Sequence, residues 1–438
     1  MNTFERHFRL ARRFLAASLP ALVALTAATG CNSITHVEDQ AVITPSGISN
    51  PAGAMNQRAG ALSDLFIAFS GQSLYSGLLV DEFSVTSASL AANFPEDQRN
   101  LSVTNSGNFP FATFSDGRIN AIIAIGLLKQ FVPQPHWQIG EMYALNAAVE
   151  IEISEDMCSG IPLAVVSGFT PSYGPTLSRQ QLVSGALTDL DSAAKYSDDS
   201  DSIANFVAVL RGRAYSDNGD LVSASTAVQN VPLSFAYAAP LNDTTAINTI
   251  YNLTVVNGQI TVSDREGING LPFVSANDPR VPIVSLQSGG VQVNALASIP
   301  NGSTSLAMAS GIEAQLIGAE AALSQGQASA WAHILNTLRQ TAITPAMDTL
   351  TTDSTTGAAA GMQLAVMFRE RAFWLFATGH RQGDLRRLVR QYGLPIASVY
   401  PIGPYLGGPS QYGGSVVFPL GGEIGPDPGY RGCLDVTP

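Results

Sequence analysis

The sequence predicts a mainly α-helical protein in which helix pairs stack into a curved array carrying a small strand-and-loop insertion. Three observations predict it. Apolar residues recur at helical spacing, as at Leu62, Leu65, Phe66 and Phe69. A helix, a glycine turn and a second helix recur in three places, each pair leaving an apolar side for its neighbour to cover. Residues 233–305 alone switch to short alternating runs with turn residues between them.

The chain opens with Arg6, Arg9, Arg12 and Arg13 against one acid, Glu5, then an apolar run from Phe14 to about Leu25. That layout predicts a secretory signal at 1–30. About 12 apolar residues make a helix of roughly 18 Å, short of a bilayer core of about 30 Å. No later segment reads as long and apolar enough to span. Small Ala28 and Gly30 precede Cys31 and resemble the bacterial lipoprotein box, in which the thiol receives a diacylglyceryl group. Residues 31–52, with Pro45, Gly47 and Pro51, read as a lipidated tether, and 53–438 as one domain.

Helices are expected from Ala54 to about Leu79, from Ser115 and Asp116 to about Gln130, and from about Trp137 to Glu155. Ser178 and Gln181 form a capping box for the next. Asn205–Pro232 resembles a tetratricopeptide helix pair, with small Gly212, Ala224 and Ala227 and a turn at Gly219-Asp220. Ser310–Gln340 turns near Gly326, and Met362–Gly393 between Gly379 and Gly383. The helical scaffold thus covers about 54–232 and 306–393. In the insertion, Leu253–Val262 reads as a hairpin around Asn257-Gly258, with strands at Ile283–Leu286 and Val291–Val293. Residues 394–438 read as Gly/Pro-rich coil.

The 438 residues carry a formal net charge of −12 and only two lysines, Lys129 and Lys195. This argues against nucleic acid and against electrostatic docking to an anionic membrane, leaving the N-terminal lipid as the membrane contact. A hydrophobic content of 45% excludes a disordered chain. With Cys31 lipidated, Cys158 and Cys433 remain as a pair in an oxidising compartment, where a disulfide is expected; the alternative is two buried thiols. No His or Cys pair has metal-ligand spacing, and no phosphate loop, nucleophile elbow or zinc-protease helix appears, so neither metal nor cofactor is expected. Glu150, Glu152, Glu155 and Asp156 could supply a glycosidase carboxylate pair, but on one helix they read as a solvated edge. No catalytic residue is assigned.

Several segments together resemble the SusD-like (RagB-type) outer-membrane nutrient-binding lipoproteins of Gram-negative bacteria. Phe368–Leu388 is similar to that family's signature helix pair, through Arg369, Glu370, Gly379, His380, Arg381, Asp384, Leu385 and Arg386. Val416–Gly429 resembles its Phe-Pro ending, Asn277–Pro282 its Asp-Pro-Arg element, and Gly160–Val166 its Gly-x-Pro-Leu step, followed by the helix of Leu177–Ala193. The resemblance implies a right-handed superhelix of tetratricopeptide-like pairs and a lipid-anchored, surface-exposed protein. It implies capture of a glycan or peptide and delivery to a SusC-like TonB-dependent transporter, without catalysis. It also implies that Glu370, Arg371, His380, Asp384 and Arg386 form a structural ion network. Sugar recognition needs aromatic faces plus amides, carboxylates or Arg for hydroxyls. Phe83, Phe94, Asp97, Arg99 and Asn100 in one loop, with Tyr237 in the insertion beside Tyr251, are the candidate ligand contacts; the alternative for Phe83 and Phe94 is anchoring of that loop. Trp137, Trp331 and Trp374 read as core. A tetratricopeptide-type envelope adaptor without nutrient binding is the competing reading.

Overall fold

A computed structural model describes residues 45–87, 89, 93–421, 430 and 432–438. The signal at 1–30, Cys31, the tether as far as residue 44 and the Glu423-Ile424 turn lie outside the described residues. Pro45–Ile48 form a helical turn in a first unit, and the remainder belongs to a second, Ser49–Pro438.

Among the described residues, five consecutive helix pairs build the frame of the second unit. They are α1 (Pro51–Leu79) with α2 (Phe111–Phe131), α3 (Trp137–Asp156) with α4 (Arg179–Ala194), and α5 (Asp201–Asp217) with α6 (Leu221–Val228). Then come α7 (Gly311–Ser324) with α8 (Ala328–Thr341), and α9 (Ala360–Trp374) with α10 (His380–Arg390). Each pair packs on the next, and α10 returns to touch α1 and α3. Local sequence sets the starts. Asn50 accepts from Gly53 N ahead of Pro51, Ser178 and Gln181 complete their capping box, and Ser200, Asp220 and Ser310 each accept from a backbone N–H three residues on.

Three expectations about elements are corrected. The helix expected at Ser115 starts four residues earlier, after Pro110, because Phe111 and Phe114 are both buried and extend its apolar face. This α2 is also long and apolar enough to span a membrane, with mean hydropathy 1.3, although no such segment was expected; here it packs against α1 and α3. The last turn lies at residues 375–379, not between Gly379 and Gly383. Gly379 takes φ +83° as the cap of α10, and Gly383 is inside the helix.

The hairpin expected around Asn257-Gly258 does not form. Thr249–Tyr251 are helical and continue as a π-turn over Asn252–Val256, and Gly258 at φ +63° stops them. Asn-Gly supplies the left-handed residue that ends a helix as readily as one that turns a hairpin. Only the second half becomes a strand, β2 (Ile260–Val262). It pairs antiparallel with β1 (Phe83–Val85), Phe83 opposite Val262. Ile283–Ser288 and Val291–Leu296 do form an antiparallel hairpin. Ala236–Ala239 pairs with Leu306–Ser310, and two further small ribbons follow α3, Ile161–Pro162 with Thr176–Leu177 and Val165–Ser167 with Thr170–Ser172.

Helix α3 is buried nearly all round, so Glu150, Glu152, Glu155 and Asp156 are not a solvated edge. Neighbours from distant segments reach three of them: Arg118 donates to Glu150, Arg213 to Glu152, and Gln72 Nε2 to both Glu152 and Asp156 at 2.8 and 2.7 Å. The C-terminal coil is irregular apart from a turn at Ile396–Val399, yet Val416–Phe418 are buried against the end of α3. Phe418 N donates to Asp156 O, Cys158 N to Phe418 O, and a Cys158–Cys433 disulfide ties the same place to the chain's last residues.

Candidate functional site

The candidate site is a groove of about 330 Å³ where the loop between β1 and α2 meets the C-terminal segment. Arg99, Asn100 and Leu101 form one wall, and Gly414–Val417, Pro419 and Val436 the other. The walls are stitched together by backbone: Gly413 N donates to Gln98 O, Ser415 N to Arg99 O, and Leu101 N to Ser415 Oγ. Arg99 holds φ +55° and lies buried. Its Nε donates to Ser415 O at 2.9 Å, its Nη1 to Pro401 O, and its guanidinium covers the Tyr400 ring at 4.7 Å. Burial pushes its pKa down to about 10, so it stays cationic at neutral pH. Asn100 lines the groove and is exposed, the residue best placed to exchange hydrogen bonds with a hydroxyl or peptide group.

Behind this loop lies a set of buried acids. Asp97 accepts from Tyr405 OH, and Glu96 accepts from Asn108 Nδ2 at 2.9 Å. Burial pushes both carboxyls up to about 7 and holds the neighbouring Glu266 well above the carboxylate range. None of the three forms a salt bridge among the described residues.

The cluster on α9 and α10 is built differently. Arg213 donates through Nε to Glu313, through Nη1 to Glu152 and through Nη2 to Met308 O, at 2.7–2.8 Å. His380 Nε2 lies 3.1 Å from Glu313. Arg371 binds Asp384 at 2.7 Å, and Arg387 spans Asp384 and Glu320 at 2.9 and 2.6 Å. Arg386 donates to the carbonyls of Ser154, Glu155 and Met157 at the end of α3. Glu370 stands in a separate group with Arg280 and Arg339. Arg213 and His380 hold Glu313 far below the carboxylate range against the cost of burial, and Arg371 and Arg387 hold Asp384 at about 2. Burial and Arg213 push His380 below its ordinary value, with Glu313 opposing the shift. The lattice surrounds a void of only about 10 Å³, about the room one water needs.

No protein-family model and no curated protein matches the sequence. Solved structures do match. A SusD superfamily protein from Bacteroides fragilis superposes with a TM-score of 0.63 at 16% identity, over 83% of this chain and 93% of that one. Surface glycan-binding protein A from Bacteroides thetaiotaomicron gives 0.63 at 14% identity, over 88% and 99%. A SusD-like carbohydrate binding protein from Bacteroides vulgatus gives 0.57 at 10% identity, over 77% and 83%. The chain has the SusD-like fold.

Within this SusD-like frame, most residues expected to touch ligand are enclosed. Phe83 is fully buried and packs on Phe376, and Phe94 is buried beneath its own loop, which is the anchoring alternative. Tyr237 stacks on Phe206 with centroids 3.9 Å apart and donates to Glu141, so neither its face nor its hydroxyl meets solvent. Asp97 is sealed under Tyr405. Tyr251, half-buried, is not on the groove. Of these seven, Arg99 and Asn100 reach it. Trp331 is fully buried, whereas Trp137 and Trp374 are half-buried. The opposing wall, Gly414–Pro419, was legible only as the Phe-Pro ending, and Arg213, Glu313 and Glu320 gave no signal beyond their place in helical patterns.

Proposed function

We propose that this protein is a lipid-anchored outer-membrane binder that captures a glycan or peptide in the groove between Arg99–Leu101 and Gly414–Pro419. It then delivers that nutrient to a TonB-dependent barrel transporter, with residues 1–30 as export signal and Cys31 as anchor. The observation that carries this reading is the SusD-like fold, shared with solved proteins described as carbohydrate-binding and surface glycan-binding. The groove fits it: the exposed Asn100 carries an amide that can recognise hydroxyls or peptide groups, while the scaffold beneath is rigidly cross-linked. The paired ions on α9 and α10 act as structure, since their void holds no substrate, and no chemical step is assigned to them.

A glycan and peptide array probed with residues 32–438, followed by calorimetry on the hits, tests the proposal. At least one oligosaccharide or peptide should bind, and Asn100→Ala should weaken it about ten-fold. Binding by no array member, or binding untouched by Asn100→Ala, would defeat the groove assignment, and the former result would favour the adaptor reading. Protease shaving and palmitate labelling of intact cells test the anchor separately.

A further inference from the structure

A second cavity of about 220 Å³ lies between α9, α10 and the short turn at Ile396–Val399, and it shares no lining residue with the groove. Its lining is mainly aliphatic and aromatic, with Leu364, Phe368, Leu385, Leu388, Leu394 and Val399 contributing. Four other side chains on it are polar, and three of those are already engaged. Arg381 is held by Asp81 at 2.8 and 3.1 Å. Asn269 donates to Tyr400 O and accepts from Ile402 N. Ser398 donates to Pro395 O.

The fourth, Arg369, has no hydrogen-bond or ion-pair partner among the described residues. Its guanidinium lies over the Phe373 ring at 4.4 Å, and Arg280 covers the same ring at 5.1 Å. Arg280 is neutralised by Asp278 and Glu370, and Arg339 also binds Glu370. Half-burial, and then the nearby Arg280, push the pKa of Arg369 down against the weaker opposing pull of Glu370 and Asp278, both of which are already bound by Arg280. An apolar trough with a single unpaired guanidinium matches an anion carrying an apolar body, the guanidinium fork fitting a carboxylate through two parallel hydrogen bonds.

We propose that this trough binds a small amphiphilic monocarboxylate, its hydrocarbon on Phe368, Leu385 and Leu388 and its carboxylate on Arg369. At 220 Å³ it is smaller than the about 300–1,000 Å³ of sites for drug-sized molecules, which selects short chains.

The test is calorimetric titration of residues 32–438 with octanoate, octan-1-ol and octylamine. Octanoate should saturate one site, at least ten-fold tighter than the alcohol or the amine. Arg369→Gln should erase that preference while leaving the alcohol unchanged. Ala365→Trp, at an exposed position on the rim, should fill the trough and abolish binding of octanoate and alcohol alike. The proposal is overturned if octanoate does not saturate, if octan-1-ol binds as tightly, or if Ala365→Trp leaves octanoate untouched. Should Arg369→Gln fail to fold, the octanoate-to-octanol ratio and Ala365→Trp still decide the matter. Octanoate binding bears on this trough alone, since neither wall of the Asn100 groove is altered.

Discussion

Asp384, in the lattice between the helices, meets two guanidinium groups and Glu313 one beside the His380 imidazole, while Glu96 and Asp97, behind the groove, meet an amide and a phenol. All four are buried. The first two are held ionised, at a cost in desolvation that the pairing offsets; the second two are pushed toward the neutral form. Burial alone therefore does not decide what a carboxyl does in this protein. Helices bring Arg213, Arg371 and Arg387 onto the first two, and no guanidinium among the described residues pairs with the second two. The scaffold is locked by ion pairs, and the loop that offers Asn100 is held by the Arg99 guanidinium on backbone carbonyls, by backbone bonds and by packing.

The largest expected effect breaks the lattice. Arg213→Met strands Glu152 and Glu313 without their shared guanidinium, and stability in urea should fall by about 3–5 kcal/mol. An unchanged midpoint would mean the lattice contributes nothing. Cys433→Ser removes a cross-link closing 275 residues and should cost about 4 kcal/mol, the upper end of the usual contribution of a disulfide, with non-reduced mass spectrometry confirming the bond in the parent. Gly379→Ala forces a Cβ to within 2.2 Å of the buried Gln72 amide at φ +83°, and should cost about 2–3 kcal/mol in the same assay.

Proton linkage sharpens the contrast. Glu96 and Asp97, at about 7, and Glu82, at about 8 through burial, all lie above their ordinary values. Their share of stability is complete below about pH 4 and disappears as pH rises through 7–8. Asp384, at about 2, works the other way: its share is present above about pH 4 and is lost as pH falls toward 2. Melting temperature should therefore decline from mildly acidic to mildly alkaline pH, and also at strongly acid pH. Glu96→Gln keeps the bond from Asn108 and should raise stability at pH 8 by about 1–2 kcal/mol. A flat profile between pH 5 and 8 would contradict the account of the groove acids. The smallest effect is Asn100→Ala, within about 0.5 kcal/mol in stability because the side chain is exposed, while ligand affinity falls.

Sequence made the scaffold legible where causes are local. Ser178 and Gln181 announce their helix because both halves of the capping box lie within one turn, and Gly219-Asp220 marks the turn between α5 and α6 for the same reason. Legibility stopped where a partner lay far along the chain. The acids of α3 look like a wet face until Gln72, Arg118 and Arg213 are placed beside them. Asn257-Gly258 reads as a hairpin until β1, about 175 residues earlier, proves to be the partner of Ile260–Val262. The site was half legible. The loop carrying Arg99 and Asn100 was singled out, but which of its aromatics faced inward depended on a C-terminal wall that no periodicity describes.

The return of α10 to α1 and α3 has a further consequence. Open solenoids gain or lose a repeat by duplication or deletion, because each unit answers only to its neighbours. Here Arg386 grips the end of α3, and Gln72 of α1 reaches both that helix and the Gly379 carbonyl, so the last pair is bolted to the first. Inserting or excising one pair would part those bolts, which fixes the number of repeats and leaves the connecting segments as the place where lineages of this architecture can vary.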